Sequence, residues 1–178
     1  MTRIHGSIVL AIWLILAACS SSPIFQKEVT HGVDKDFDFT AWRNLPNAKV
    51  GRKVQLGGRI VQTDAGTDDV TIITTQLPIV EHPVYGPKDN GRRSGEFAVF
   101  YRGRLDPKWL IPGNRLIVVG SVEQAKAVVV DDVKRSLPSL RARCLHIWKT
   151  VGKEIAEFPY NIGGGYEPLE HETFCASP

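Results

Sequence analysis

The sequence predicts an all-β domain, a small closed sheet of five strands with one short helical turn between the third and the fourth. Three observations carry that expectation. Runs rich in Val, Ile, Thr and Phe recur between clusters of turn residues, as half-buried strands require. Glycines interrupt the first and fourth runs, at Gly57-Gly58 and Gly120, and the pair permits the sharp bend or bulge used where a strand serves two sides of a closed sheet. Between the third and fourth runs stands Asp106-Pro107, an N-cap residue followed by a first helical residue.

The first strand is expected over residues 53–63. There Val54, Leu56, Gly58 and Ile60 alternate with Gln55, Arg59 and Val61, the period of a strand with one buried face. Asp64-Ala65-Gly66-Thr67-Asp68 is a turn, and residues 70–76 return as the second strand of a hairpin. Residues 78–95 carry Pro78, Pro83, Gly86, Pro87, Gly91 and Gly95 around Arg92-Arg93. They read as a long loop, about as long as compact domains keep without a functional reason. The third strand, residues 96–102, sets Phe97, Val99 and Tyr101 against Ala98 and Phe100. Pro107 opens the helical turn and Pro112-Gly113 ends it.

Residues 114–122 are apolar on both faces and form the central strand. A hairpin turn is expected around residues 123–126, before strand residues 127–130, and residues 140–148 make the last strand. Ahead of the sheet, Phe37, Phe39 and Trp42 with Leu45-Pro46 form a short segment, one helical turn, that packs aromatics on the domain edge. Behind it, residues 151–178 form a tail, mobile or draped over the domain, with Gly163-Gly164-Gly165 as a hinge. This order of elements fits a Greek-key barrel of the OB type. An antiparallel β-sandwich is the alternative.

The start of the chain has a different texture. Arg3 precedes an unbroken apolar run, residues 8–18, of 11 residues. That length suits a secretory h-region of about 7–15 residues and falls short of the ~20 a spanning helix needs. The run ends in Leu16-Ala17-Ala18-Cys19, followed by Ser20-Ser21-Ser22-Pro23. This resembles the bacterial lipobox, in which the cysteine thiol is diacylated, the preceding peptide is removed, and the new amino terminus is acylated. The resemblance implies an S-diacylglycerol and N-acyl lipid on Cys19, with no other cofactor. Ser20, where an aspartate would favour inner-membrane retention, implies the outer membrane. Two or three acyl chains hold firmly where one anchors only marginally, because each buried CH₂ contributes about 0.8 kcal/mol.

The chain divides accordingly into a signal peptide (1–18), a lipidated tether and packing segment (19–49), the barrel domain (50–150) and the tail (151–178). Loss of residues 1–18 removes only Arg3 from the charges, leaving 21 basic against 19 acidic residues in 160. That near-neutral balance, with both signs mixed along the chain, weakens the charge argument for nucleic acid or anionic lipid as a partner, and no nucleic acid is expected. The expected partners are the membrane, through the lipid, and other envelope proteins. Two cysteines remain, Cys144 in an apolar strand and Cys175 near the end. In an oxidising compartment such a pair can form a disulfide that pins the tail. The other reading is a buried thiol and a free one.

A wider resemblance runs over residues 16–150. After the lipobox come Val50-Gly51, Leu56-Gly57-Gly58-Arg59-Ile60, the leucine-proline ending the second strand at Leu77-Pro78, and Gly103-Arg104-Leu105-Asp106-Pro107. Val118-Val119-Gly120-Ser121-Val122 and Leu145-His146-Ile147-Trp148 follow. In this order they are similar to the Slp (starvation-inducible) family of outer-membrane lipoproteins. That resemblance implies an envelope protein of stationary phase and stress, with no assigned catalytic residues. The tail departs from the family's Tyr-, Trp-, Pro- and Gly-rich pattern, being shorter, acidic and carrying Cys175.

Chemistry has few carriers in this sequence. The five histidines, at 5, 31, 82, 146 and 171, lack HxxxH or CxxC spacing, so no metal site is expected. Cys144 and His146 point the same way along one strand, but no oxyanion donors or orienting acid accompany them. Gly163-Gly164-Gly165 lacks the Lys-Ser/Thr that a phosphate loop needs. No catalytic residue is expected, and the protein is read as non-enzymatic. The alternative function is a binding module. OB barrels take oligosaccharides or polyanions across strands two and three, where Arg92, Arg93, Tyr101, Arg102 and Arg104 supply cations and an aromatic.

Overall fold

The computed structural model describes residues 23–81, 85–88, 94–151 and 169–176. The leader, Cys19, Arg92, Arg93 and Gly163-Gly164-Gly165 lie outside the described residues.

β1 (Lys53–Ala65) and β2 (Asp69–Leu77) form the expected hairpin, and β2 continues antiparallel onto β5 (Glu96–Arg102). β1 also pairs antiparallel with β6 (Arg115–Val130), which turns back as β7 (Val133–Trp148). β5 and β7 then pair in parallel from Ala98↔Ser139 to Tyr101↔Ala142. That last pairing closes β1, β2, β5, β7 and β6 into a ring of five strands. Above Ala142 the same edge of β7 is taken by β8 (His171–Cys175), which pairs from Cys144↔Cys175 to Trp148↔His171. The described strands thus form one mostly antiparallel sheet of six strands, plus a two-stranded ladder of β3 (Ile79–Val80) and β4 (Gly86–Pro87).

The strand alternation read from sequence decides what fills the ring. Val54, Leu56, Ile60, Val70, Ile72, Phe97, Val99, Leu116, Val118, Leu140, Leu145 and Ile147 face inward and are buried. The turn after β5 contributes Trp109 and Leu110. As expected, Asp106 caps it, its carboxylate accepting from the Lys108 backbone N–H at 3.0 Å. Burial of each such side chain contributes on the order of 2 kcal/mol.

The segment before the sheet belongs to the same core. α1 (Lys27–Thr30) is a single turn, and α2 (Phe39–Asn44) starts on Asp38, whose carboxylate accepts from the N–H of Thr40 and Ala41. Capping of this kind contributes about 1 kcal/mol. α2 buries Trp42 completely, edge-on to Phe37 and Phe39 and tilted against Phe97. Its indole N–H donates to the Pro46 carbonyl at 3.0 Å, so the one polar atom of the ring is satisfied.

Three expectations need correction and one an addition. Residues 123–126 are not a turn: β6 runs on through them with a bulge between Glu123 and Lys126, and the chain reverses at Asp131-Asp132. Both aspartates have positive φ, 49° and 61°, as a two-residue type I′ turn demands. The polar residues Glu123 and Lys126 stay in the strand because Arg141 and each other supply their partners. The tail, expected as mobile or draped, includes a strand not placed from sequence: residues 171–175 add a sixth strand outside the ring. The loop of residues 78–95 includes the β3–β4 ladder. Gly57-Gly58 carries no bulge; the irregularity lies one step on, between Ile60 and Gln62.

Gly58 and Gly120 instead answer to close approach. A Cβ on Gly58 would lie 2.2 Å from Thr74 Cγ2, and one on Gly120 would lie 2.3 Å from the Arg141 carbonyl oxygen. Neighbouring strands pass too close at these points for any larger residue.

Candidate functional site

Cys19 lies outside the described residues, and from Ile24 onward the chain is fixed to the sheet. Phe25 is buried on the outer face of β6 and β7, against Ile117, Val119, Cys144 and Trp148, with Leu169 beside them. Ile24, Val29 and Val33 pack on the same patch, and Ile79 and Tyr85 close its other side. Backbone bonds fix the path: Asp34 N–H donates to the Lys53 carbonyl at 2.8 Å, and Lys53 Nζ donates to the His31 carbonyl at 2.7 Å. The segment from Ile24 to Asp34 is therefore strapped across one sheet face. No helix among the described residues is long and apolar enough to cross a membrane.

Cys144 and Cys175 face one another across β7 and β8 and are joined as a disulfide. Cys144 is wholly buried while Cys175 is at the surface. The bridge holds β8 on the sheet together with the Lys149–Glu170 ion pair at 2.7 Å and the Arg143 guanidinium, which donates to the Ala176 carbonyl.

His146 sits on the same outer face. Its Nδ1 is 2.6 Å from Thr173 Oγ1, its ring meets Trp148 edge-on at 4.2 Å, and His171 lies 5.0 Å away. Burial, followed by the neighbouring His171, pushes its pKa down to about 4. It is a packed, neutral histidine. Among the described residues, no three His, Cys, Asp or Glu side chains come together as a metal site would need.

Of the residues singled out for ligand binding, the three that are described, Tyr101, Arg102 and Arg104, separate in space. Tyr101 turns into the core at 4% exposure, where burial raises its hydroxyl pKa, so its ring offers no face for stacking. Arg104 donates to the Thr67 carbonyl at 3.1 Å and lies 3.9 Å from the Asp68 carboxylate, at the β1–β2 turn. Arg102 alone of the described three points outward beside other cations. It lines a shallow depression of about 420 Å³ with Ser121, Arg141, Ala142, Arg143 and Ala176. Sequence reading missed Arg141 and Arg143, although Arg-Ala-Arg-Cys in an otherwise apolar strand was a visible signal.

A second cleft of about 420 Å³ opens between the β1–β2 hairpin and the far end of β6. Gln62, Thr71, Ile73, Phe100 and Val128 line it, and Lys126 Nζ lies 4.2 Å over the Phe100 ring. Beside it, Val130 and Leu137 pack down on Ile73 and Ala98, so the β6–β7 hairpin closes part of this face itself.

Comparison with known proteins joins these features. The chain is similar to "Outer membrane protein Slp" of Escherichia coli (strain K12), 22% identical over 162 residues, covering 91% of this chain and 83% of that protein. No solved structure matches the chain. The family model "Outer membrane lipoprotein Slp family" matches residues 16–172, from the first residue of the lipobox to the second residue of β8. By that match over nearly its whole length, the chain belongs to the Slp family of outer-membrane lipoproteins.

Proposed function

We propose that the protein hangs in the outer membrane from a lipid on Cys19, presents one OB-like barrel to the periplasm, and acts without catalysis through contacts within the envelope, in a structural or stress-related role. The observation that carries this reading is the continuity from Leu16-Ala17-Ala18-Cys19 into a strap, Ile24 to Asp34, bound to the sheet. Supporting the barrel is the closure order β1-β2-β5-β7-β6, with its one parallel pair and the helical turn between β5 and β6. Within the proposed division at residues 18, 49 and 150, Trp42 and Phe174 both pack on the core of the middle unit.

Membrane fractionation of the wild type and of Cys19→Ala tests the anchor. The wild type is expected in the outer-membrane fraction and the variant out of it; equal distribution of the two overturns the reading.

A second reading is favoured by the cleft at Phe100. In an OB barrel the corresponding strands and loops take oligosaccharides or polyanions. A glycan and polyanion screen against the wild type and Gln62→Ala/Phe100→Ala decides it: binding that the substitutions abolish supports a binding module, and no binding by the wild type removes it.

A further inference from the structure

We propose that the end of the β6–β7 outer face beyond the strap is a membrane-docking surface on which Arg102, Arg141 and Arg143 take the phosphate of an anionic phospholipid headgroup. This rests on the lipid anchor at Cys19.

The first ground is where the strap leaves the fold. Phe25 lies on Ile117 and Val119 of β6. Ser121 is the next residue of β6 on that face, roughly 7 Å further along the strand. Across from Ser121 stand Lys53 on β1 and Arg141 on β7. The parallel register of β5 and β7 ends at Tyr101↔Ala142, so Arg102 and Arg143 come next on the two chains and rim one depression with Arg141. Tether and cations thus share a single sheet face.

The second ground is reach. Cys19 precedes Pro23 by four residues, and a fully extended chain covers roughly 14 Å over that span. An acylated Cys19 therefore tethers Pro23 within about 14 Å of the bilayer surface, roughly two headgroup layers. Screening at physiological salt decays over about 8 Å, short enough that only charges on the near face interact with lipid phosphate.

The third ground is charge. One carboxylate, Glu123, accepts from Arg141 at 2.9 Å and from Lys126 at 2.6 Å. Arg143 spends one N–H on the Ala176 carbonyl, and Arg102 makes no ion pair among the described residues. Each guanidinium has five N–H donors, so the three retain donors for a phosphate, whose geometry their planar forks match. The acyl chains supply the hold and the arginines supply orientation, an arrangement of lipid plus basic patch.

The test uses the purified full chain in neutral detergent with isotope-labelled arginine. It is titrated separately with short-chain phosphatidylglycerol, short-chain phosphatidylcholine and inorganic phosphate, reading the side-chain Nε signals. Saturable shifts of Arg102, Arg141 and Arg143 with phosphatidylglycerol alone are expected. At about fivefold per arginine, Arg102→Ala/Arg143→Ala is expected to weaken that binding by roughly 25-fold. Should the double variant lose its fold, Arg102→Glu at the exposed end of β5 gives the same reading. No shift, or equal shifts with phosphatidylcholine or inorganic phosphate, overturns the proposal. Because the titration is read in detergent, its failure is distinct from a failure of Cys19→Ala to leave the membrane, which would remove the anchor itself.

Discussion

Phe174 meets Trp109 edge-on, ring centroids 5.9 Å apart, although one residue belongs to the last strand and the other to the helical turn before β6. β8 therefore closes over the core at the point where β5 leaves the edge of β7. Its hold depends on the Cys144–Cys175 bridge, which spans 31 residues. A crosslink closing a loop of that length contributes about 4 kcal/mol through the unfolded chain. Cys144→Ser/Cys175→Ser is expected to lower the melting temperature by roughly 8 °C, and reductant is expected to do the same to the wild type while leaving the variant unchanged. Thermal unfolding followed by circular dichroism with and without reductant checks both.

Stability is expected to fall on acidification through His146. In the unfolded chain its imidazole takes a proton near pH 6.5, whereas in the fold it stays neutral down to about 4. Between those values the unfolded state binds more protons, so stability rises with pH across the window and is lost as pH falls through it. The full effect is on the order of 3 kcal/mol. Denaturant midpoints measured from pH 4 to pH 7 are expected to slope less in His146→Gln than in the wild type. Parallel slopes would assign the acid sensitivity to other groups.

The Asp131-Asp132 turn holds two side-chain-bearing residues at positive φ, a conformation that costs an L-residue roughly 1–2 kcal/mol. Asparagine and glycine suit a type I′ turn far better. Asp131→Asn/Asp132→Gly is expected to stabilise the protein by about 1 kcal/mol. The Asp131 N–H bond to Gln62 Oε1, at 3.2 Å, is a backbone contact that the exchange preserves. A shift of the urea midpoint upward, with unchanged slope, is the expected result.

Gly120→Ala is expected to be among the most damaging single changes, since its Cβ would meet the Arg141 carbonyl oxygen and the Ala142 Cα at 2.3 and 3.0 Å. Both are backbone atoms of a paired strand and cannot give way. Overpacking of this kind costs about 1–3 kcal/mol. Gly32→Ala, at positive φ but in open space, serves as the control that pays only for conformation. Chemical denaturation of the two variants is expected to place Gly120→Ala well below Gly32→Ala in stability.

What was legible in the sequence is what local physics dictates. The alternation of Val54, Leu56 and Ile60 gave β1, the bounds of residues 96–102 gave β5, and Asp106-Pro107 gave the turn between β5 and β6. The turn at residues 131–132 was not legible, because Asp-Asp lacks the glycine that marks a type I′ reversal, while Glu123 and Lys126 look like loop residues until Arg141 is placed beside them. β8 was hidden for a similar reason: His-Glu-Thr-Phe-Cys becomes a strand only against β7. The arginine shelf shows the limit most directly. Arg102 was singled out by its neighbours in sequence, whereas its companions Arg141 and Arg143 arrive through a parallel pairing between segments about 40 residues apart.

That parallel pairing also sets an order of events in time. The ring cannot shut until residues 133–148 have emerged, because β7 is the partner of both β6 and β5. The strap at Phe25 finds half of its seat, Cys144 and Trp148, on that same late strand. Until that last strand of the ring is made, the strap from Ile24 to Asp34 has only part of the surface it packs on.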